Sequence, residues 1–540
     1  MEKRTILALI LIMIIFWISN EFIWKKPVQR IQSQESVNTA EEFADPVGVG
    51  TVPEASKVIE ESLNIPADPD LEINENIILE NEKMIIQFSN YGGVITSIKM
   101  KNYFFNDQET HVDLIPFEEK MLKVVLETED QNLISLSHQV FDYNITQNNS
   151  GVTFILRNDT GLFIKKYLLA EDYNLTLNIT SENFTRISGY KLSLDTGIAD
   201  SEDYVIEHPK EKLRDYKIIS QINNEIEKYS LAKLKDKQED IGKVDWASIR
   251  SKYFIMGIYA DNLVNINQIT SFNNNNSPAM ELNIDIPRET FSHDYFLYLG
   301  PLIPENLSAY RSGFKKVMEG PFIEILRPVS NLFSAIFRFF RGFIPSYGII
   351  IIIISILLKF LLYPLTHKSF ESTHKMQKVT PLMKELQAKY KKDPQTLNQE
   401  MRKLYKEHNV SPLGGCLPML LQMPIIFAIY PVIRYSIDMR QSSFLWLSDL
   451  SEPDKTLILP IAMAVFMFIQ QKLMSPSKDK IAEMDEKQQA AQQSQKMMLY
   501  IMPVMMFFIF KSLSAGLVLY WTVFSIIGTI QQYFIKKKFD

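Results

Sequence analysis

The stretch YGIIIIIISILLKFLLYPLT, residues 347–366, decides what kind of protein this chain is. It is an almost unbroken apolar run of about 20 residues, the length that an α-helix needs to cross a bilayer. Lys359 is its single charged residue, and a cation at this depth costs on the order of 3 kcal/mol on insertion scales. The stretch therefore predicts a transmembrane helix whose cation needs a special environment.

Other apolar runs of spanning length accompany this one, so the sequence predicts six transmembrane helices. Five lie in the C-terminal half, at 345–366, 416–435, 456–474, 497–513 and 515–535. The sixth lies within residues 1–24, where the apolar run follows Lys3 and Arg4 and ends in bulky aromatic residues. A cleaved signal peptide would have a shorter core that ends in small residues. We therefore interpret residues 1–24 as an uncleaved signal anchor.

The positive charges around these spans orient the chain. The loop 367–415 carries ten Lys or Arg against five Asp or Glu, and Lys536, Lys537 and Lys538 follow the last span. Loops rich in Lys and Arg stay in the cytoplasm. We therefore expect both termini in the cytoplasm and the large polar domain on the outer side of the membrane.

Two polar regions separate the first span from the second. Residues 25–72 carry five prolines and ten Asp or Glu against four Lys or Arg, a composition typical of a disordered linker. Residues 73–315 form a domain that largely alternates apolar with polar, as in MIIQFSNYGGVITSIKM (84–100), with Gly92-Gly93 suited to a turn or bulge. This pattern predicts a large β-sandwich. The charged stretch 206–240 suggests an insertion or a helix.

Residues 316–342 lead from the β domain to the second span. Apolar residues recur there at helical spacing, with Arg327, Arg338 and Arg341 interleaved. This pattern predicts an amphipathic helix that lies in the membrane interface. A plain juxtamembrane connector fits the same residues.

The segment 367–411 predicts a cytoplasmic helical hairpin. Met376, Val379, Met383, Leu386 and Tyr390 step by three and four, and Leu397, Met401 and Leu404 continue on a second helix. Asp393-Pro394 reads as an N-cap followed by proline at the first helical position, and Pro381 interrupts the first helix. The hairpin either packs on itself or also serves as a docking arm for an incoming chain, a ribosome or a targeting factor.

Composition excludes several other classes of protein. The net charge of −6 argues against a globally basic nucleic-acid binder. The single cysteine, Cys416, excludes an intramolecular disulfide and a cysteine-based metal site. The seven histidines contain no HxxxH pair, and no nucleotide-binding loop or GxSxG elbow occurs. We therefore expect no metal, no cofactor and no catalytic centre.

Lys359 is the residue that most needs an explanation. One interpretation places it in a hydrated cavity, and the other has it snorkel to the cytoplasmic face. Helical side chains tilt toward the N-terminus of the helix, which points Lys359 toward the membrane centre and favours the cavity. Other polar or aromatic side chains of the spans are candidates to line it: Ser355, Gln422, Gln470, Gln471, Tyr520 and Trp521. Interhelical hydrogen bonds for the glutamines and ordinary packing for the aromatic pair are the competing roles.

Four long motifs of the C-terminal half, in this order and spacing, resemble the YidC/Oxa1/Alb3 family of membrane protein insertases. They are LLYPLTHKSFESTHKMQKVTPLMKELQAKY (361–390), SPLGGCLPMLLQMPIIFAIY (411–430), FLWLSDLSEPD (444–454) and AGLVLYW (515–521). Three pieces of the polar domain resemble the large periplasmic domain of the bacterial form: NYGGVITSIKMKNY (90–103), RSKYFIMGIY (250–259) and YLGP (298–301).

This resemblance implies a fold and a set of site residues. It implies a five-helix insertase core over 343–540, whose hydrophilic groove is open to the cytoplasm and to lipid but closed outside. It implies a β-supersandwich for the periplasmic domain, like that of sugar mutarotases but without their activity. Lys359 falls at the position of the groove cation, where arginine is usual, so the charge is kept and the bidentate fork is lost. Ser355 matches a groove-facing hydroxyl, and Trp521 matches an aromatic residue associated with substrate contact.

The resemblance also implies a function and partners. The chain is expected to insert inner-membrane proteins and help them fold, alone or beside the Sec translocon, without being an enzyme. Expected partners are nascent membrane proteins, the Sec translocon, membrane lipids and, through the hairpin, ribosomes and signal-recognition components. A passive membrane scaffold and a transporter are the alternatives. A transporter would normally show intramembrane carboxylates or paired broken helices, and the sequence shows neither.

Overall fold

The computed structural model of the chain describes residues 72–539 except 131, 158–160, 185–186, 287–289, 312, 319–322, 392, 409, 411–416 and 475–499. These residues form two compact units that divide between Glu319 and Gly320. The predicted signal anchor, 1–24, and almost all of the predicted linker, 25–72, lie outside the described residues.

The first unit is built from β-strands, and the structure describes 19 of them. In chain order they are β1 Ile77–Glu80, β2 Met84–Ser89, β3 Val94–Phe104, β4 His111–Asp113, β5 Lys123–Thr128, β6 Leu133–Ser135, β7 Asp142–Ile145, β8 Gly151–Arg157, β9 Leu162–Leu169, β10 Asn174–Glu182, β11 Ile187–Leu194, β12 Lys217–Ile222, β13 Glu225–Ser230, β14 Gln238–Ile241, β15 Val244–Arg250, β16 Phe254–Ala260, β17 Asn265–Asn274, β18 Ser277–Asp285 and β19 Phe291–Pro301.

These strands form three antiparallel sheets. The orders are β1-β2-β3-β4, then β13-β12-β15-β16-β19-β10-β9-β8-β7, then β14-β17-β18-β11-β5-β6. Buried and exposed residues alternate along many strands, as in β9 and β10, because successive side chains of a strand point to opposite faces. The β-sandwich predicted from period-two alternation is confirmed.

The turn between β2 and β3 is the Gly92-Gly93 pair, as predicted. Both glycines have positive φ, +88° and +54°, a conformation that other residues adopt at a cost. Two side chains of β9 contact the backbone carbonyls of this turn. Lys165 Nζ lies 3.3 Å from the carbonyl of Gly92, and the Tyr167 hydroxyl donates to the carbonyl of Gly93 across 2.9 Å. Lys165 also donates to the carbonyl of Leu122 at 2.8 Å and is completely buried. Burial lowers the pKa of its amine to about 7.

Two regions of the first unit differ from the expectation. The charged stretch 206–240 contains only short helical turns, such as Lys212–Asp215, and is otherwise mostly strands β12, β13 and β14. Its charge reflects edge positions, because β13 and β14 each end a sheet. The segment Phe314–Met318 packs on the β unit, with Phe314 against Trp246 and the Val317 carbonyl accepting from Arg250. The domain therefore continues past residue 315.

The second unit is helical. Its helices are α1 Ile323–Arg341, α2 Tyr347–Lys389, α3 Pro394–Glu407, α4 Leu417–Arg434, α5 Ile458–Met474, α6 Tyr500–Phe510 and α7 Ala515–Phe539. α1 corresponds to the predicted amphipathic helix; its Phe333 and Phe337 join the apolar core while Leu332 and Phe339 are exposed. The Ser330 hydroxyl ties it to the carbonyl of Ala428 in α4 at 2.9 Å.

Two described helices are long and apolar enough to cross a membrane, Tyr347–Pro364 and Ala515–Lys537. Three shorter apolar helices cover Gln422–Arg434, Ile458–Leu473 and Tyr500–Phe510. All five lie where the sequence predicts spans. The helical C-terminal region is thus confirmed, whereas the count of six spans stays a prediction.

The second span and the first arm of the predicted hairpin are one helix. α2 continues for 43 residues through Pro364 and Pro381, because no glycine or turn-forming cluster separates the span from the arm. α3 then begins at Pro394, with the Asp393 carboxylate accepting from the backbone N–H of Gln395 and Thr396 at 3.2 and 3.1 Å. The predicted N-cap is confirmed, and hydrogen bonds from Thr396 lower the pKa of Asp393.

Candidate functional site: a buried cation between three parallel helices

Three helices, α2, α5 and α7, run side by side in the same direction. The hydroxyls of Thr522 and Thr529 in α7 lie 3.4 and 3.2 Å from carbonyls of α5, those of Leu459 and Phe466. Both pairs are seven residues apart, so α5 and α7 keep the same register over two turns. α2 runs the same way, because Lys359 and Thr366 of α2 contact Phe524 and Gln531 of α7, again seven residues apart.

Lys359 lies at the centre of this three-helix arrangement. It follows the first residue of α2, Tyr347, by 12 residues, and Gln470 follows Ile458, the first residue of α5, by the same number. At about 1.5 Å per residue both lie roughly 18 Å below the helix starts. Lys359 is only 4% exposed, so its side chain packs between helices.

The ammonium group of Lys359 rests on an aromatic ring. Its Nζ lies 3.9 Å from the ring centroid of Phe524 in α7, close enough for a cation–π interaction. The described parts of α2 up to Thr366, α5 and α7 contain no Asp or Glu, and no described carboxylate forms an ion pair with Lys359. The aromatic face is therefore the partner of this cation within the described structure.

Gln470 and Gly528 complete the surroundings of the cation. A Cβ atom placed on Gly528 would lie 2.9 Å from Lys359 Nζ and 3.1 Å from Gln470 Nε2. Two hydrogen-bond donors from different helices thus converge on one point beside a glycine. Gln470 has no hydrogen-bond partner among the described residues. An acceptor such as a carboxylate would satisfy both donors.

The other predicted site residues lie around this centre in different ways. Ser355 is fully buried one turn above Lys359 and donates to the carbonyl of Ile351 at 2.7 Å. Tyr520 is fully buried in the apolar core, and its hydroxyl has no partner among the described residues. Trp521 packs edge-on against Phe510 of α6, with 4.9 Å between ring centroids. Gln422 is half-buried on α4.

Gln471 makes a contact between two helices. Its side-chain amide lies 3.4 Å from the sulfur of Met502 on α6, so it links α5 to α6. Gln471 therefore points to a different helix from Gln470, as neighbouring residues of a helix do. Of the candidate glutamines, Gln470 is the one that the structure places beside the cation.

A loop closes the ends at which α2, α5 and α7 begin. Asp454 caps α5, because its carboxylate accepts from the N–H of Leu459 at 2.8 Å. The carbonyl of Leu450 accepts from the N–H of Gly516 at the start of α7, also at 2.8 Å. Phe444 covers Gly348 so closely that a Cβ there would lie 2.2 Å from its ring. The motif 444–454 thus binds the three helix starts together.

A second polar contact joins α2 and α7 two turns beyond Lys359. Gln531 donates to the hydroxyl of Thr366 across 2.9 Å, and both residues are buried. Neither residue was predicted from the sequence, nor were Phe524 and Gly528. Polar residues inside the last span and the small residues Ser525, Gly528 and Thr529 were the available signals, because small residues mark close helix packing in membranes.

The hairpin residues form their own small core. Val379 of α2, Leu404 of α3 and Val410 are buried together, with Met376, Met383 and Leu386 packed against them. Pro394 opens α3 and is exposed. The predicted self-packing is therefore present. Within the described residues no group of three or more His, Cys, Asp or Glu side chains is arranged to hold a metal ion.

Two family models match the chain over most of its length. A model described as "60Kd inner membrane protein" matches residues 339–540. A model described as "YidC periplasmic domain" matches residues 76–326. The two matches correspond closely to the helical unit and to the β unit.

Named relatives match along the whole chain. A membrane protein insertase YidC from Geotalea daltonii is 30% identical over 99% of this chain and 99% of its own. One from Chlorobium limicola is 28% identical over 99% of this chain and 94% of its own. A solved structure described as an active YidC insertase with its first transmembrane domain resolved covers 86% of this chain and 94% of its own, at 14% identity and a TM-score of 0.36. The full-length match at 30% identity shows that this chain belongs to the YidC family of inner-membrane protein insertases, which carry a periplasmic β-sandwich domain.

Proposed function

We propose that this insertase uses Lys359 as an electrostatic receptor for acidic segments of the proteins it inserts. The observation that carries the proposal is a buried ammonium group with an aromatic partner and no carboxylate partner among the described residues. A cation in such a place attracts an anion, because opposite charges interact strongly where water is scarce. Gln470 supplies a second donor at the same point.

The insertion step then follows from two opposing free energies. The charged tail of a substrate is costly to hold within the bilayer, and attraction to Lys359 in a hydrophilic groove offsets part of that cost. The apolar segment behind the tail moves sideways into lipid, which stabilises it by about 25 cal/mol for each Å² of apolar surface removed from water. The membrane potential adds about 2.3 kcal/mol per charge at 100 mV. No nucleotide hydrolysis enters this mechanism.

The groove is proposed to be closed on the outside and open to the cytoplasm. Support comes from the loop that binds the starts of α2, α5 and α7, through Phe444, Leu450 and Asp454. With the starts of these helices outside, the charge of the loop 367–415 agrees with a cytoplasmic hairpin. In this orientation both termini are cytoplasmic and the chain crosses the membrane six times.

The hairpin is proposed to dock a ribosome or signal-recognition component, and the Sec translocon is proposed as a second partner. Support for the first is the excess of Lys and Arg on a folded, self-packed hairpin. The β domain, for which we propose a supersandwich arrangement, is an accessory in this scheme. A passive scaffold does not account for a cation buried between three helices, and a transporter would normally show intramembrane carboxylates or paired broken helices.

The test is insertion by the purified chain in liposomes of a single-span substrate with an acidic N-terminal tail, read by protease protection of the tail. Wild type and Lys359→Arg are expected to insert it, and Lys359→Met to lose most insertion. Lys472→Met is the matched control, since Lys472 is an exposed lysine on α5. A substrate whose tail carries Asn and Gln in place of Asp and Glu should not distinguish these variants. Equal insertion of the acidic tail by wild type and Lys359→Met would contradict the proposal.

A further inference from the structure

We propose that Phe524 and Gly528 form a seat that positions the Lys359 ammonium group. The ring of Phe524 contacts the ammonium group, and the absence of a side chain at Gly528 leaves room for it. The inference rests on the proposed role of Lys359 and names two positioning residues for it. Neither residue carries a charge or a hydrogen-bonding side chain, so neither stands out from the sequence. Their relation to Lys359 is a tertiary one, from α7 to α2.

The ring of Phe524 stabilises the charge without neutralising it. Phe524 is 6% exposed, and its ring centroid lies 3.9 Å from Lys359 Nζ. A carboxylate in this place would form an ion pair and use up the attraction that a substrate needs. The negative face of an aromatic ring attracts the ammonium group while leaving its other donors available to an incoming acceptor.

Gly528 provides the space for the ammonium group. It lies one turn beyond Phe524, on the same face of α7, since residues four apart are neighbours on a helix. Glycine is disfavoured in helix interiors relative to alanine, so helix formation does not explain its presence. Any larger residue would place a Cβ 2.9 Å from Lys359 Nζ and 3.1 Å from Gln470 Nε2. Both of those atoms end flexible side chains, so a methyl group there would displace the cation without breaking the helix.

The seat also bears on the choice of lysine at this position. A lysine ends in a compact ammonium group, whereas the guanidinium of arginine is planar and wider. The space between the ring of Phe524 and the backbone of Gly528 suits the compact ammonium group of lysine. Arginine at 359 should therefore depend on Gly528 even more strongly than lysine does.

The first experiment measures insertion of the acidic-tail and neutral-tail substrates in liposomes by four variants of the seat. Phe524→Leu should lower insertion of the acidic tail about fivefold, Gly528→Ala should also lower it, and both should leave insertion of the neutral tail unchanged. Phe524→Tyr keeps the aromatic face and should insert like wild type. In the Lys359→Arg background, Gly528→Ala should lower acidic-tail insertion further than it does with lysine.

The second experiment observes the seat without relying on insertion. A membrane-permeant amine-reactive ester labels lysines, and mass spectrometry gives the labelling of Lys359 relative to Lys472 in the same molecule. Phe524→Leu and Gly528→Ala should raise this ratio several-fold, while Phe524→Tyr should leave it near the wild-type value. The thermal midpoint of each variant in detergent shows that it is folded.

The outcomes separate the seat from the proposed function. If Lys359→Met inserts the acidic tail normally, the receptor role is wrong, and the labelling ratio still decides whether the seat exists. If Phe524→Leu lowers insertion of both tails equally and leaves the labelling ratio unchanged, Phe524 is a packing residue and the seat is wrong. An unchanged ratio in Gly528→Ala would likewise overturn the space assigned to the ammonium group.

Discussion

The side-chain amide of Gln531 donates to the hydroxyl of Thr366 across 2.9 Å in a buried contact between α7 and α2. The two residues differ in the other hydrogen-bond partners that their side chains have. Thr366 also lies within hydrogen-bond distance of the Leu362 carbonyl of its own helix, whereas the side-chain oxygen of Gln531 is buried without a partner among the described residues. Removing one member of this contact therefore differs from removing the other.

This difference predicts that substitution of Thr366 destabilises the helical unit more than substitution of Gln531 does. Thr366→Val leaves the buried amide of Gln531 without its acceptor and should destabilise the helical unit by about 1–3 kcal/mol. Gln531→Met removes the amide and its unpaired oxygen together, so it should be nearly neutral. The thermal midpoint in detergent should fall for Thr366→Val and stay for Gln531→Met. The double variant should behave like Gln531→Met alone; a sum of two losses would contradict this account.

Gly348 should be intolerant of even a methyl group. A Cβ there would lie 2.2 Å from the ring of Phe444, and the atoms it meets are the inner ones of that side chain, which cannot swing away. Gly348→Ala should displace the loop 444–454 from the helix starts. The matched control is Gly342→Ala, whose Cβ would meet only a backbone oxygen at 3.4 Å. Hydrogen exchange of residues 444–454 should rise in the first variant and not in the second.

Asp454 should stabilise the start of α5 through its capping oxygens. Its carboxylate accepts from the N–H of Leu459 at 2.8 Å and from that of Thr456 at 3.0 Å, and it is buried. Loss of an N-cap typically costs about 0.5–2 kcal/mol, so Asp454→Ala should lower the thermal midpoint. Asp454→Asn keeps one acceptor oxygen and should lose less. Equal losses for the two variants would argue that charge, and not capping, is what matters.

Lys165 should make the stability of the β unit depend on pH. Its pKa is about 7 in the folded chain, because of burial, against an ordinary value of 10.5. Between these values the unfolded chain binds one more proton, so the free energy of unfolding rises with pH by up to about 1.4 kcal/mol per pH unit. Below about pH 7 both states hold the proton and this rise disappears.

The measurement is the urea midpoint of the β unit from pH 6 to 9 in the full chain in detergent. Unfolding is detected by limited proteolysis. Wild type should gain stability above pH 7, and Lys165→Met should lose that part of the slope. Lys166→Met is the control, since the neighbouring lysine points to the exposed face of the same strand. A slope that persists in Lys165→Met would assign the pH dependence to other groups.

Much of the architecture could be predicted because it is written in local patterns. The spans, the alternating strands, the Gly92-Gly93 turn and the Asp393 cap all depend on residues close in sequence. Lys359 was recognisable because a charge in an apolar run needs an explanation wherever its partners are. The strands β13 and β14 were obscured because edge strands are rich in charge.

The partners of Lys359 could not be predicted for a physical reason. Phe524 is one apolar residue among many in its span, and Gly528 acts by what it lacks. Their significance depends on how α7 is rotated against α2, which is decided by packing between helices and not by either helix alone. The same holds for Thr366 and Gln531, whose contact joins positions 165 residues apart.

Because α2 is continuous, it connects Lys359 directly to the hairpin. Val379 lies 20 residues beyond Lys359 on the same helix, a distance of about 30 Å. A force that tilts the hairpin must either bend α2 or rotate Lys359 relative to the ring of Phe524. Between these two residues Pro364 is the sole proline and no glycine occurs; proline removes a helix hydrogen bond, so bending concentrates there. The bending point thus lies barely more than one turn from Lys359, between the cation and the hairpin.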